Sequence, residues 1–182
     1  ILGYGEGLQE GIAEDEESRK FYYDVIVDEA KKMERLVHEL LALNQLESGG
    51  RQLQMEWFNL MDLVQGILSA SSILIEQSGI HVQIEAEDRV NIWADEFFTE
   101  QVVSNFISNA IHYAAGEKQI VVRCDPTEDG NIRFSVFNTG KAIPEEDLPH
   151  IWEKFYKGDK ARTREYGGSG IGLSIVKAIM EG

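Results

Sequence analysis

Asn105 and Asn109 stand four residues apart in an otherwise apolar stretch that holds Val102, Val103, Phe106, Ile107 and Ala110. A separation of four places both side chains on one face of a helix. Two carboxamides on such a face are costly unless polar partners meet them. A hydrogen-bond network in the core can supply those partners, and so can a ligand. The asparagine oxygen is a hard, neutral donor, suited to completing a Mg2+ shell made mostly of phosphate and water oxygens. A second group, Phe137-Asn138-Thr139-Gly140-Lys141-Ala142-Ile143-Pro144, ends a strand-like run. Asn138 both donates and accepts, which suits the polar edge of a base, and Gly140 permits close backbone approach. A simple strand-ending turn has the same composition.

A third group is Gly167-Gly168-Ser169-Gly170-Ile171-Gly172-Leu173, followed by a helical pattern through Met180. Glycines ahead of a helix expose unpaired N–H groups where the helix dipole favours an anion, and a backbone nest wraps phosphate in the same way. No strand precedes this turn, so a Rossmann reading fails. It also lacks the Gly-Lys-Ser/Thr of a P-loop. Between the second and third groups, Lys154 to Arg164 holds five basic residues against Asp159 alone, in a chain of net charge -15. Such a local basic run reads as a solvated loop or as the neighbour of a small anion. The overall acidity argues against a nucleic-acid partner. Cys124 is the single cysteine, which excludes a disulfide framework within the chain and fits a reducing compartment.

The elements that must position these groups are readable from the pattern. Residues 14 to 47 predict one long helix with an acidic opening, a stripe of Ile26, Ala30, Met33, Val37 and Leu40 widened by Leu36, Leu43 and Leu46, and a stop at Gly49-Gly50. Residues 1 to 12 read as the end of a preceding helix, giving a helical hairpin with a truncated first arm. A strand at 52–57 follows, then a helix from Leu60 to Gln77 capped by Asn59 and ended by Gly79. Strands are expected at 81–87, with Val82, Ile84 and Ala86 on one face, and at 89–94. Asp95 opens the asparagine helix, which runs to Ala114. Strands at 119–124 and 131–137 are joined by Asp129-Gly130. The long irregular stretch from Asn138 to Gly170 has the character of a lid or binding loop. The fold class is α+β, a two-layer sandwich with helices on one face of a mixed sheet. The composition is that of a soluble globular chain without a membrane-length apolar run, and a start at Ile rather than Met suggests a piece of a longer protein.

Taken in order, the asparagine helix, the Asn-Thr-Gly strand end, the basic loop and the glycine turn resemble the ATP-binding catalytic domain of sensor histidine kinases, of the GHKL (Bergerat-fold) ATPase superfamily. The likeness runs from about Met33 to Gly182. Arg35 to Gly49 resembles the second dimerisation helix. Val103 to Tyr113 resembles the N box, Ile151 to Lys157 the F box, and Gly168 to Leu173 the second glycine box. The resemblance implies a partial hairpin at 1–48 and a catalytic domain at 51–182. It also implies ATP and Mg2+ as cofactors, and transfer of the γ-phosphate to a histidine outside this chain for relay to a response-regulator aspartate. By the same resemblance Asn109 ligates Mg2+ and Asn105 approaches the phosphates. Tyr113 packs near the nucleotide ring, and Asn138 meets the adenine amino group. Gly140, Ile143, Phe155 and Leu173 line the pocket. Gly168, Gly170 and Gly172 let the lid backbone reach the phosphates, with Lys157 and Arg162 as charge partners.

The implied partners are a receiver domain and a second subunit, joined through the hairpin of a parent anchored on the cytoplasmic side of the membrane. Departures from the family pattern are Asn138 in place of the usual Asp, Ala142 in place of glycine, and His112 where lysine is frequent. A contact between His112 and phosphate would depend on its protonation. His38-Glu39 has the form of an acceptor pair but lacks the sequence that follows one, so the acceptor is expected before Ile1. The family's final strand pair is expected after the last helix. Two rival readings use the same residues: an Hsp90, gyrase or MutL type ATPase, and an interaction module that has lost nucleotide binding.

Overall fold

The computed structural model describes residues 1–47, 52–158 and 170–181. Helix α1 (Leu2–Gln9) turns back through Gly11, at φ +73°, onto helix α2 (Glu16–Glu47). Asp15 caps α2, its carboxylate accepting from the Ser18 amide at 2.6 Å and from the Ser18 hydroxyl at 2.8 Å. These two bonds hold its carboxyl below the usual range. The hairpin closes on aromatic edges: the Tyr4 and Tyr22 rings lie 5.3 Å apart, and a Cβ at Gly7 would strike the Tyr22 ring. The expected apolar stripe is not covered within the chain. Ala30, Met33, Val37 and Leu40 are exposed, because α1 reaches only the opposite end of α2. Of the other described members, Ile26 is half-buried and Leu36 packs on Ile171 and Ile175. The expected stop at Gly49-Gly50 lies outside the described residues.

The α+β part follows. Strand β1 (Met55–Asn59) pairs antiparallel with β3 (Asn91–Asp95), with Trp57 opposite Trp93. A second sheet has the order β2-β4-β5, built from β2 (His81–Glu85), β4 (Gln119–Pro126) and β5 (Ile132–Asn138). In it β2 runs parallel to β4, and β4 runs antiparallel to β5. The mixed sheet is thus present, with the two-stranded ribbon standing apart from it. The predicted helix from Leu60 to Gln77 is two helices, α3 (Leu60–Ala70) and α4 (Ser72–Ser78), broken at Ser71. Serine is a weaker helix former than alanine or leucine, and two stand in a row at Ser71 and Ser72. Asn59 caps α3 as expected, accepting from the Met61 amide at 3.2 Å and also from the Val90 amide at 2.9 Å. Gly79 ends α4 in the left-handed conformation. Ile84 on β2 is exposed, while Val82 and Ala86 on either side of it pack on the core; β2 lies at the edge of its sheet.

Helix α5 (Glu96–Tyr113) lies at the centre of the assembly. Val103, Ile107, Ala110 and Ile111 face a core that includes Met61 and Val64 of α3 and Ile120 and Val122 of β4. Full burial of side chains of this size is worth about 1.5–3 kcal/mol each. Helix α6 (Gly172–Glu181) packs against both α5 and α2. Asp95 fixes the start of α5. It is buried; its Oδ1 accepts from the Phe98 amide at 3.1 Å, and its Oδ2 accepts from the Gln54 amide at 2.8 Å. One carboxylate therefore ties the entry of β1 to the first turn of α5. Replacing Asp95 with Ala removes a helix cap and a charge-assisted bond together and should lower the unfolding free energy by about 2–3 kcal/mol. Asp95→Asn should cost roughly half as much, since it keeps one acceptor. Urea unfolding midpoints at constant slope measure both, and equal midpoints for Asp95→Ala and the parent would remove Asp95 from this role.

Candidate functional site

Asn105 and Asn109 lie on the flank of α5 beside its apolar face, both half-buried. The Asn105 amide donates to the Gln101 carbonyl at 2.8 Å, which fixes its oxygen outward. That oxygen faces Gly172: a Cβ built on Gly172 would collide with Asn105 Oδ1. Among the described residues Asn109 makes no side-chain hydrogen bond. Among the described residues the protein itself therefore satisfies the Asn105 NH2 but not the Asn105 oxygen or the Asn109 amide. One turn on, His112 Nδ1 donates to the Ser108 carbonyl at 2.7 Å, which fixes the ring against its own helix. Tyr113 closes α5 with an exposed ring.

The Asn-Thr-Gly strand end docks on the C-terminus of α5. The Ala115 amide donates to the Thr139 carbonyl at 2.8 Å, and Thr139 N donates to the Gln119 carbonyl at 2.9 Å. The Gln119 amide bonds back to the Thr139 hydroxyl at 2.9 Å. Gly140, at φ +155°, fits where no other residue could: its Cβ would lie 2.5 Å from the Tyr113 carbonyl oxygen. Asn138 is half-buried at the end of β5, its Nδ2 making one long bond, 3.3 Å, to the Thr139 carbonyl. Ile143 is exposed just beyond.

The glycine turn reaches the same helix from the other side. The Phe155 amide donates to the Gly170 carbonyl at 2.9 Å, so the two ends of the basic loop meet. Phe155 has φ +65° and an exposed ring. Gly170 sits at φ +73° with Phe155 and the Tyr156 carbonyl against it, which again excludes a side chain. Ile171 is fully buried, Leu173 is half-buried, and the Ser174 hydroxyl donates to the Ile171 carbonyl at 2.7 Å. Lys157 is exposed at the described edge of the loop. Arg162, Gly168 and the Gly167–Ser169 part of the turn lie outside the described residues. One contributor was not singled out from the sequence. Asp147 accepts from the Tyr156 hydroxyl at 2.6 Å, and its carboxylate lies beside Gly158. That bond pushes the Tyr156 phenol up to about 12. An acid among several in 145–147 gave no signal that would mark it.

Three separated segments thus converge on one flank of α5. Gly172 stands at Asn105 and Gly140 at Tyr113, eight residues along the helix, or about 12 Å at 1.5 Å per residue. Asn109 lies between them. The arrangement offers open amide groups in the middle, a backbone-only approach at each end, and a helix N-terminus at the Gly172 end. A long polar ligand with an anionic terminus matches that layout.

Residues 94–182 match the family of histidine kinase-, DNA gyrase B-, and HSP90-like ATPases. The whole chain is 30% identical over 182 residues to the sensor histidine kinase WalK of Bacillus subtilis, of which it covers 30%. The chain therefore spans about 30% of the length of that curated relative. Among solved structures, it superposes on the histidine kinase AdeS of Acinetobacter baumannii with a TM-score of 0.79 at 22% identity, covering 99% of this chain and 81% of that one. It also superposes on the histidine kinase ThkA, solved in complex with the response regulator TrrA, with a TM-score of 0.69 at 24% identity, covering 91% of this chain and 50% of that one. Residues 94–182 thus carry an ATPase domain of that family, and over its whole length the chain is similar to sensor histidine kinases.

Proposed function

We propose that this chain is the nucleotide-handling portion of a histidine kinase, with a partial helical hairpin at 1–48 and the catalytic domain from 51 onward. It would pass the γ-phosphate of ATP to a histidine outside these residues, for relay to a response-regulator aspartate. The observation that carries the reading is the convergence of Gly140 and Gly172 on the flank of α5 that holds the unpartnered Asn105 oxygen and Asn109. ATP laid along that flank puts its base beside Tyr113, Asn138 and Ile143. Its phosphates then lie beside Asn105, Gly170 and Gly172, where the N-terminus of α6 supplies N–H groups and a favourable dipole. His112, Phe155, Leu173 and the basic loop with Lys157, Arg162 and Gly168 complete the surround.

Asn109 fits a Mg2+ ligand because its carboxamide is half-buried and unclaimed, and among the described residues no cluster of carboxylates and histidines competes for a cation. Mg2+ there neutralises phosphate charge. What the chain itself contributes is position: it holds the triphosphate in line and withdraws it from water. The exposed stripe of Met33, Val37 and Leu40 on α2 supports a second subunit packed along the hairpin. The ThkA complex supports a receiver domain as the phosphate's destination. A parent protein anchored at the cytoplasmic face of the membrane is in keeping with relatives named as sensors. Among the described residues no helix is long and apolar enough to cross a membrane.

Two outcomes are expected. The chain should bind a non-hydrolysable ATP analogue by calorimetry, more tightly with Mg2+ than without. Asn109→Ala should abolish the Mg2+ increment while leaving the metal-free affinity within about three-fold. Absence of binding by the parent chain would refute the reading and favour the interaction module instead. The second concerns labelling. His38, His81, His112 and His150 are the four histidines, and none is assigned as acceptor. Incubation with radiolabelled ATP and Mg2+ should therefore leave the chain without acid-labile phosphate, and appreciable labelling would contradict that assignment.

A further inference from the structure

The two-stranded ribbon carries its largest side chains on the side turned away from the core. Phe58, Ile92 and Ala94 are half-buried, and Ile92 packs on the main core. On the other side Trp57 is 69% exposed and Trp93 53% exposed. They are direct cross-strand partners, with ring centroids 5.6 Å apart and planes tilted by 52°. Met55 and Leu53, two and four residues before Trp57, are exposed as well. An antiparallel ribbon with one face on the core normally turns polar residues to water. Two tryptophans there leave a contiguous apolar patch of the kind that marks an interface. Among the described residues neither outer edge of the ribbon pairs with a further strand, so backbone N–H and C=O groups are open to an added strand.

The charge around this face selects its partner. The sequence from Gln52 to Glu100 is acidic, with nine carboxylates against Arg89 as the one lysine or arginine, although Glu85 is paired with Arg123 and Asp95 is buried. Glu96, exposed and three residues after Trp93, and the exposed Glu56 at the ribbon's edge add negative charge near the indoles, while the buried Asp95 is already bonded to the Gln54 and Phe98 amides. A second copy would bring the same acidic surface against itself, and each chain carries a net charge of -15. Anionic lipid and nucleic acid are repelled for the same reason. An arginine side chain gains twice: it stacks over a tryptophan face and meets the surrounding negative field.

We propose that the Trp57–Trp93 face is a docking surface for an extended, arginine-bearing segment of a protein partner. The segment lies along the β1–β3 ribbon, with its cations over the indoles and its apolar residues on Leu53 and Met55. The surface is separate from the α5 flank and does not depend on nucleotide binding there.

Tryptophan emission reads the face directly. Titration with a short alternating arginine–valine peptide at about 150 mM salt should give a saturable change in emission. A glutamate–valine peptide of the same length should give none. Trp57→Ala and Trp93→Ala should each weaken binding about ten-fold or more, while Trp152→Phe leaves it unchanged. Trp57→Thr, which keeps strand propensity, should weaken it equally at an unaltered thermal midpoint. Three results would each overturn the proposal. One is no binding of the arginine peptide. Another is binding that survives both Trp57 variants, which is charge attraction alone. The third is a concentration-dependent dimer in sedimentation that Trp57→Ala makes monomeric, which means that a second copy covers the face.

Discussion

Helix α5 must satisfy two environments along the same few turns. Its inner face, Val103, Ile107, Ala110 and Ile111, belongs to the main core. Its flank carries Asn105, whose Nδ2 bonds the Gln101 carbonyl while its oxygen faces Gly172, and Asn109, whose amide makes no hydrogen bond among the described residues. A helix that answered only the first demand would carry leucine at those two positions. The asparagines keep a polar strip beside a dry core, and that strip needs a ligand or water. Everything around the site follows from holding this helix still. Asp95 pins its first turn to the chain entering β1, and the Thr139 carbonyl accepts the Ala115 amide at its end. Between those anchors, packing on α3 and β4 leaves no room for rotation, so the strip faces one way.

The glycines express the same constraint from outside. Gly140 and Gly172 are each pressed against an α5 atom that a Cβ would displace: the Tyr113 carbonyl at one end and the Asn105 oxygen at the other. A side chain at either position would push its segment off the helix. The backbone itself therefore forms the two ends of the site. Backbone approach leaves N–H groups, rather than hydrocarbon, beside whatever lies on the strip. Gly170 serves differently. Its left-handed conformation lets its carbonyl accept the Phe155 amide, so the basic loop leaves and re-enters the fold at one point. That closure holds Phe155, two residues before Lys157, against the turn that leads into α6.

Much of this was legible in the sequence because it depends on local rules. The i, i+4 spacing of Asn105 and Asn109, the Asp95 and Asn59 caps, and the Gly79 stop each follow from a few adjacent residues, and the structure bears each of them out. The α+β class with a mixed sheet also held. What was not legible depends on distant partners. The break at Ser71 falls at two adjacent serines, within an apolar pattern that continues across it. Ile84 is exposed on β2 at the edge of its sheet, a placement that alternation alone cannot reveal. The stripe on α2 reads as buried from its periodicity, yet Ala30, Met33, Val37 and Leu40 are exposed, and of the other described members Ile26 is half-buried and Leu36 is covered by α6 rather than by a hairpin partner. Asp147 could not be picked out from its acidic neighbours until Tyr156 was seen to donate to it.

The contact of Leu36 with Ile171 and Ile175 joins the hairpin to the segment that follows the glycine turn. Ile171 lies next to both Gly170 and Gly172, so the residue that docks on α2 is flanked by the two that close the loop and abut Asn105. Moving α2 relative to the domain would therefore work first on Ile171, and through it on the placement of Gly172 against α5. The path is short, and each step is a packed contact or a backbone bond. Elsewhere the two parts are separate in sequence, joined by residues 48–51 and the start of the ribbon. The chain thus links its long helix to its polar strip at the end where the strip would meet phosphate. At the other end of α5, the Gly140 contact rests on β5 and the α5 terminus alone, where a shift of the hairpin has no direct purchase.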